Sequence, residues 1–305
     1  MKQSFRRLAA AVVIACTAGV ASAGPVILGG DDLTDHGNRT GGIDINGQNN
    51  EGWLYIEKAV SNVLSSQTRA GTLTHDIVAL GSSDSTVLGG NAGAGIHFAA
   101  LELGKSVLYV DGAAAINQFF VDLIAGIRNP GMLWFSGTGA ANNLDSAEGA
   151  ALTANAVTIN TYGASGGGIM AHGSGATAYG WLSALLPGLS AAGSCNSTGA
   201  TLTAAGQAAF PGLSNSDIDA NAGPCHNSFT GNFGGLTTLA FDGNQRSYII
   251  GGGATTVIQC GQPGQVACPT NNVPEPGSMP LALLAALALG FQQVRRRFGA
   301  PKSGK

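Results

Sequence analysis

Between residues 24 and 190, short apolar runs alternate with amphipathic segments, and no other feature of the chain restricts its fold as strongly. Five runs have the length and composition of buried strands: 25–28, 76–80, 106–110, 132–135 and 168–171. The segments between them carry apolar residues at helical spacing, as in Trp53, Ile56 and Val60, and Asp145 with Glu148 predicts the capping box of a helix running towards residue 162. This alternation predicts an α/β domain over 24–190 with a mostly parallel, doubly wound, flavodoxin-like sheet.

Beyond residue 190 the chain becomes rich in Gly, Ser, Asn and Ala. Two strand-like runs, 236–241 and 247–250, are close enough to pair as a hairpin around Asp242, which we place at one edge of the sheet. We therefore expect 191–258 to extend the same domain and 259–278 to be a linker.

The N-terminus has the composition of a secretory signal peptide. Lys2, Arg6 and Arg7 precede an apolar stretch over 8–20, and residues 21–23 form an A-x-A cleavage site. We expect residues 1–23 to be removed on Sec export, so that the mature chain begins at Gly24.

The C-terminus combines three elements in a fixed order. A Pro-Glu-Pro motif precedes a predicted short transmembrane helix over 279–294, which would anchor the chain transiently in the membrane, and an arginine cluster follows; these residues are Pro274, Glu275, Pro276, Arg295, Arg296 and Arg297. The prolines keep the motif extended, the apolar run is shorter than the roughly 20 residues of a comfortable membrane span, and the arginines would stay cytoplasmic. In this order, residues 274–299 resemble the PEP-CTERM sorting signal of Gram-negative bacteria. The resemblance implies cleavage near the motif by an exosortase, a membrane-embedded cysteine protease; a tail anchor or a core helix is the alternative.

Four cysteines remain once Cys16 leaves with the signal peptide: Cys195, Cys225, Cys260 and Cys268. An even number of cysteines in an exported chain predicts two disulfides. Pairing of nearest neighbours, 195–225 and 260–268, is the simplest of three connectivities. A metal site is the alternative, although no C-x-x-C spacing is present.

The charge of the exported region argues against nucleic-acid binding. Residues 24–276 hold six of the 14 Lys and Arg but all 17 Asp and Glu, which gives a formal charge of −11. A domain this acidic repels phosphate backbones.

Polar side chains follow each predicted strand, at the edge where open parallel sheets bind ligands. They are Asp31, Asp32, Asp35 and His36 after the first strand, Ser82, Ser83 and Asp84 after the second, Asp111 after the third, Ser136 and Thr138 after the fourth, and His172 and Ser174 after the fifth. This rim predicts a hydrolytic site, a cation site of oxygen ligands or a sugar-binding crevice, unless its residues only cap the following helices. The candidate catalytic groups are Asp31, Asp32, Asp111 and His172.

The first and third strands are neighbours in the commonest strand orders, so we expect Asp31 or Asp32 to approach Asp111. Three carboxylates in one crevice would need a divalent cation, a proton or a ligand hydroxyl between them. No other cofactor is expected.

Three further features carry weaker signals. Residues 44–51 have the composition of a calcium loop but lack its ligand order. Residues 163–167 match G-x-S-x-G but lie between a helix and a strand, which is the reverse of a nucleophile elbow. His226, beside Cys225, could approach the rim or serve the structure of its disulfide.

The segment Gly166–Gly173, with the alternating order before it, is similar over 24–190 to the class I glutamine amidotransferase-like fold, which includes noncatalytic and sugar-related members. The nucleophile of that family is a cysteine, and residues 24–194 contain none. Amidotransferase activity is therefore excluded.

These features predict an exported protein of the cell envelope, the cell surface or the exopolysaccharide matrix of a biofilm, most simply a noncatalytic binding module. One alternative is a secreted hydrolase of polysaccharide or ester bonds. Another is an adhesive or ice-associated surface protein, for which the sequence lacks a repetitive Thr-rich face. Expected partners are the Sec machinery, exosortase and, for a binding module, exopolysaccharide.

Overall fold

Five mutually parallel strands form one half of the sheet, as the alternation predicts. The computed structural model describes residues 24–34, 36, 52–85, 92–138, 144–173, 176–196, 198–219 and 224–252. The parallel strands are β1 (Val26–Gly29), β2 (His75–Leu80), β3 (Val107–Val110), β4 (Pro130–Phe135) and β5 (Gly168–His172). They lie in the order β3-β2-β4-β5-β1.

Helices cover both faces of these strands, because successive side chains of a strand point to opposite faces. Met132 and Trp134 join one core and Leu133 and Phe135 the other. The first core contains α1 (Gly52–Ser66) and α2 (Ala92–Glu102), and the second contains α3 (Ala113–Ile124), α4 (Ser146–Ala154), α5 (Ala156–Ala164) and α6 (Leu182–Leu185). The doubly wound α/β architecture is confirmed.

The capping box at the start of α4 is confirmed as well. Asp145 accepts from the backbone N–H of Glu148, and Glu148 accepts from that of Asp145. The single helix predicted from here to residue 162 is instead two, because the backbone at Asn155 leaves the helical region between α4 and α5.

The second half of the sheet is antiparallel. It contains β6 (Leu189–Gly193), β7 (Thr201–Leu202), β8 (Ser228–Gly231), β9 (Thr237–Phe241) and β10 (Ser247–Gly252), with the short helices α7 (Ala204–Ala209) and α8 (Asn215–Ile218) on the first core. β9 and β10 form the predicted hairpin, and β10 also pairs with β1. Asp242 lies at its turn, where it accepts from the backbone N–H groups of Asn244 and Arg246.

The expectation that β1 and β3 are neighbours is wrong. β1 lies between β5 and β10, whereas β3 pairs with β2 and ends the parallel half. Burial explains the placement: all four residues of β1 are buried, as a central strand requires, and three of the four in β3 are only half-buried.

Several predictions fall outside the described residues: the signal peptide, the calcium-like loop 44–51, Asp35, Ser174, Cys260, Cys268, the linker and the C-terminal sorting signal with its apolar helix over 279–294. Among the described residues, no helix is both long and apolar enough to cross a membrane.

Candidate active site at the carboxyl edge of the sheet

The chain that leaves β1 is held against the segment 224–227. The N–H of Asp32 donates to the carbonyl of Pro224, and the N–H of His226 donates to the carbonyl of Gly30. Gly30 is required at this crossing, since a Cβ there would lie 1.8 Å from the carbonyl oxygen of Asn227. A Cys195–Cys225 disulfide, with a Cα–Cα distance of 5.7 Å, anchors the segment and confirms the first predicted pairing.

Asp31 and His172 form a buried pair. The register of β1 and β5 places Gly29 beside His172, so the side chain of Asp31 reaches the ring. Nδ1 of His172 lies 2.7 Å from Oδ1 of Asp31, and both side chains are completely buried. An ionised carboxylate can only accept a hydrogen bond, so we assign the proton of this contact to Nδ1. The backbone N–H of Leu33 donates to the same oxygen at 3.1 Å.

Five polar atoms around this pair are buried and lack a hydrogen-bond partner among the described residues. They are Oδ2 of Asp31, Nε2 of His172, the hydroxyls of Tyr55 and Tyr248, and the indole nitrogen of Trp134. The rings of Tyr55 and Trp134 lie 6.1 and 5.7 Å from the imidazole, centroid to centroid. Because buried polar groups are nearly always paired, this cluster is built to contact water or a small polar group.

The phenols of the cluster are donors. Burial raises the pKa of Tyr55 and that of Tyr248 well above the ordinary value, and the negative charge of Asp31 raises both further. They therefore stay protonated at any physiological pH. Tyr179 differs, because its hydroxyl is already used to donate to the carbonyl of Gly29 at 2.7 Å.

A second carboxylate, Asp32, lies between two histidines. Its Oδ2 is 2.6 Å from Nε2 of His226, and its Oδ1 is 3.2 Å from Nε2 of His36. Burial on its own would raise the pKa of Asp32, but the hydrogen bonds and charges of His226 and His36 outweigh burial and lower it. The Asp32 side chain is 8% exposed, that of His36 18% and that of His226 42%, so this cluster faces solvent on one side.

The other rim residues do not join these two clusters. Asp111 is exposed at the end of β3, and three strands separate β3 from β1, so the predicted crevice of three carboxylates is wrong. Asp84 contacts His97 at 3.2 Å, and Ser136 donates to the carbonyl of Gly81. Ser82 is buried and its hydroxyl has no partner in the described part of the chain, and Thr138 forms an isolated bridge with Leu144.

Helix capping does not explain the rim residues that do converge. Oδ1 of Asp31 bonds to Leu33 and His172, and no helix begins at either position. Even Asp111 is not a cap, because α3 has Gly112 at its N-cap position and no side-chain cap.

Cys195, Cys225 and Asp242 place potential metal-ligand atoms within 4.8 Å of one another. The two sulfurs are bonded to each other, however, and a disulfide offers no thiolate. The carboxylate of Asp242 also accepts from three backbone N–H groups, those of Asn196, Asn244 and Arg246. This cluster is structural.

Tyr55, Tyr248 and Trp134 were not predicted as site residues, since their positions in apolar stripes are typical of core aromatics. The sequence signal that could have identified them is the polar group that each of these side chains carries, a hydroxyl in tyrosine and an indole N–H in tryptophan. Comparison with protein-family models, with curated proteins and with solved structures gives no match for this chain.

Proposed function

We propose that this chain is an exported cell-surface or matrix protein whose α/β domain hydrolyses ester bonds, with Asp31 and His172 at the centre of its site. The observation that carries the proposal is the buried Nε2 of His172, which has no partner among the described residues, in a ring whose Nδ1 is fixed by Asp31. An imidazole oriented in this way by a carboxylate is the usual general base of acyl-transfer sites.

In the proposed reaction, Nε2 of His172 takes a proton from a water molecule while the water oxygen bonds to the ester carbonyl carbon. The bond from that carbon to the alkoxy oxygen then breaks, and the proton passes from Nε2 to the leaving alkoxide. Asp31 stabilises the imidazolium, and Tyr55 and Tyr248 donate to the carbonyl oxygen as it gains negative charge.

Ester hydrolysis suits this geometry better than cleavage of glycosidic bonds. A glycosidase needs two carboxyl groups that flank the scissile bond, one as acid and one as base or nucleophile. Here Asp31 and Asp32 each contact an imidazole, and Asp111 lies on a distant strand. The reaction we propose is therefore hydrolysis of an acyl ester, and the support for a surface polysaccharide as its carrier is the C-terminal motif rather than the site.

Replacing His172 with glutamine should lower kcat/KM for ester hydrolysis by roughly 10²–10⁴-fold, the usual contribution of a positioned general base. Glutamine keeps a donor towards Asp31 but cannot accept the proton of water. Hydrolysis of p-nitrophenyl acetate and of an O-acetylated polysaccharide would be measured for both proteins. His97→Gln is the matched control, because His97 also contacts an aspartate, Asp84, but lies outside this site.

Equal rates for wild type and His172→Gln would contradict the proposal. The second candidate is then the noncatalytic module, which the complete burial of Asp31 and His172 favours. That alternative requires unchanged oligosaccharide binding in the same variant, measured by calorimetry.

The proposed surface location of the protein is supported by the C-terminal motif itself. If exosortase cleaves near it, mass spectrometry of the surface fraction from a native host should find no peptide beyond about residue 276, and no peptide from 1–23. A chain with Glu275 and Pro276 replaced by alanine should keep the C-terminal peptides. An intact peptide that contains Arg295 in the wild-type surface fraction would refute the processing.

A further inference from the structure

The strand β3 lies at one end of the sheet, and among the described strands it pairs with β2 alone. The carbonyls of Ser106 and Val110 accept from N–H groups in and just after β2. Because the backbone groups of successive strand residues point to opposite sides, those of Val107 and Tyr109 point outwards, away from the sheet. β3 thus presents donors and acceptors to which a further strand can bond.

The sequence of β3 does not protect this edge. Natural proteins usually blunt an exposed edge with proline, with a bulge or with charged residues. β3 reads Val-Leu-Tyr-Val, three of its four residues are half-buried, and its pairing with β2 is regular throughout. At the other end of the strand order, β6 has an irregular register between Ser190 and Gly193. Of these two ends, β3 is the one suited to pairing with another strand.

The charges beside β3 indicate that this other strand is β3 of a second copy. Lys105, two residues before the strand, and Asp111, directly after it, are both exposed. An antiparallel pair with a two-fold axis through Leu108 places Lys105 opposite the partner's Asp111, and the symmetry forms this contact twice. The same axis places Val107 opposite the partner's Tyr109. Opposite charges, and a β-branched residue facing an aromatic one, are favourable cross-strand pairs.

The backbone agrees with this register. In an antiparallel pair, two residues that face each other and exchange both hydrogen bonds must both point their backbone groups towards the partner. Val107 and Tyr109 are the residues of β3 whose groups point outwards, and the register places them opposite each other. Charge and hydrogen bonding therefore select the same alignment.

We propose that β3 joins two copies of this chain into a symmetric dimer with one continuous sheet. Lys105 also lies 3.7 Å from Asp76 of its own copy, but its side chain is 40% exposed, and exposed ion pairs of this kind contribute little. It can therefore turn towards the partner. The dimer is independent of the proposed hydrolysis. Because the two β3 strands are antiparallel, the carboxyl edges of the two copies would face opposite directions.

Sedimentation velocity of untagged, oxidised protein over a wide range of concentrations tests the dimer. Wild type should dimerise, and Val107→Pro should not. Proline removes an N–H that points away from β2, a position that edge strands tolerate. Lys105→Glu should raise the dimer Kd by roughly 10-fold or more, because two attractive contacts become repulsive. Adding Asp111→Lys should restore the wild-type Kd. Lys58→Glu, on α1, makes the same change of charge and should have no effect.

Hydrogen exchange of the wild type supplies a second measurement that needs no variant. The amides of Val107 and Tyr109 should exchange more slowly as the protein concentration rises, whereas those of β6 should not change. A wild type that stays monomeric at every concentration, or a dimer that Val107→Pro leaves intact, would overturn the proposal. Exchange at Val107 and Tyr109 that does not depend on concentration would do the same. A Kd that the double variant fails to restore would overturn the register.

Discussion

Replacing His172 with alanine should lower the free energy of unfolding by about 3 kcal/mol, because a buried group left without its hydrogen-bond partner costs about 1–3 kcal/mol, and more when it is charged. Asp31 would keep a fully buried carboxylate whose remaining side-chain hydrogen bond, within the described ranges, is the one from the N–H of Leu33. Urea unfolding of the oxidised protein measures the change. His97→Ala, at the partly exposed contact with Asp84, should cost no more than about 1 kcal/mol.

A double-mutant cycle separates the interaction energy of the Asp31–His172 pair from the cost of the cavity that alanine leaves. Asp31→Asn and His172→Gln, singly and together, should show a coupling energy of about 0.5–3 kcal/mol. Additive effects would mean that the two side chains do not stabilise each other. The interpretation that Asp31 orients the imidazole would then be wrong.

Removing the Cys195–Cys225 disulfide with Cys195→Ser and Cys225→Ser should cost about 3–4 kcal/mol on the chain-entropy model, because the bond joins residues 30 apart. The effect should also be local. Hydrogen exchange of the amides of Asp32 and His226, which bond across to Pro224 and Gly30, should accelerate far more than exchange in β2 and β4.

Cys260→Ser with Cys268→Ser is the control for this measurement, since both positions lie outside 24–252. Uniform acceleration over the whole sheet in the first variant would contradict a local role for the disulfide. Free thiols at Cys195 and Cys225 in natively exported protein would contradict its formation.

The strands were predictable because their apolar runs are buried by two layers of helices. The run 132–135, for example, lies within β4 and contributes side chains to both cores. The strand order was not predictable from the same signal, since periodicity reports that a residue is buried but not which strand lies beside it. The half-buried residues of β3, against the fully buried β1, agree with the place of β3 at the end of the parallel half, but this difference is visible only in the structure.

Part of the candidate site was also predictable from the sequence, because it follows from where the predicted strands end. Asp31, Asp32 and His172 could be assigned to the rim, because the ends of parallel strands meet at one edge. The pairing of Asp31 with His172 follows from the contact of β1 with β5, which is a long-range property of the chain. The same holds for His226, which reaches Asp32 from 194 residues further along.

The place of β1 in the sheet has a consequence for the order in which the chain folds. The segment 75–172 can assemble β2, β3, β4 and β5 from parts that follow one another along the chain. β1 finds one neighbour in β5 and the other in β10, where Val26 pairs with Gly252. Closing so long a loop is slow, because its entropy is lost before the contacts form. A chain that crosses a membrane N-terminus first would therefore deliver β1 earliest and complete its pairing last. The Asp31–His172 contact needs only β1 and β5, but Tyr248 of β10 would join the site only after the whole domain had emerged.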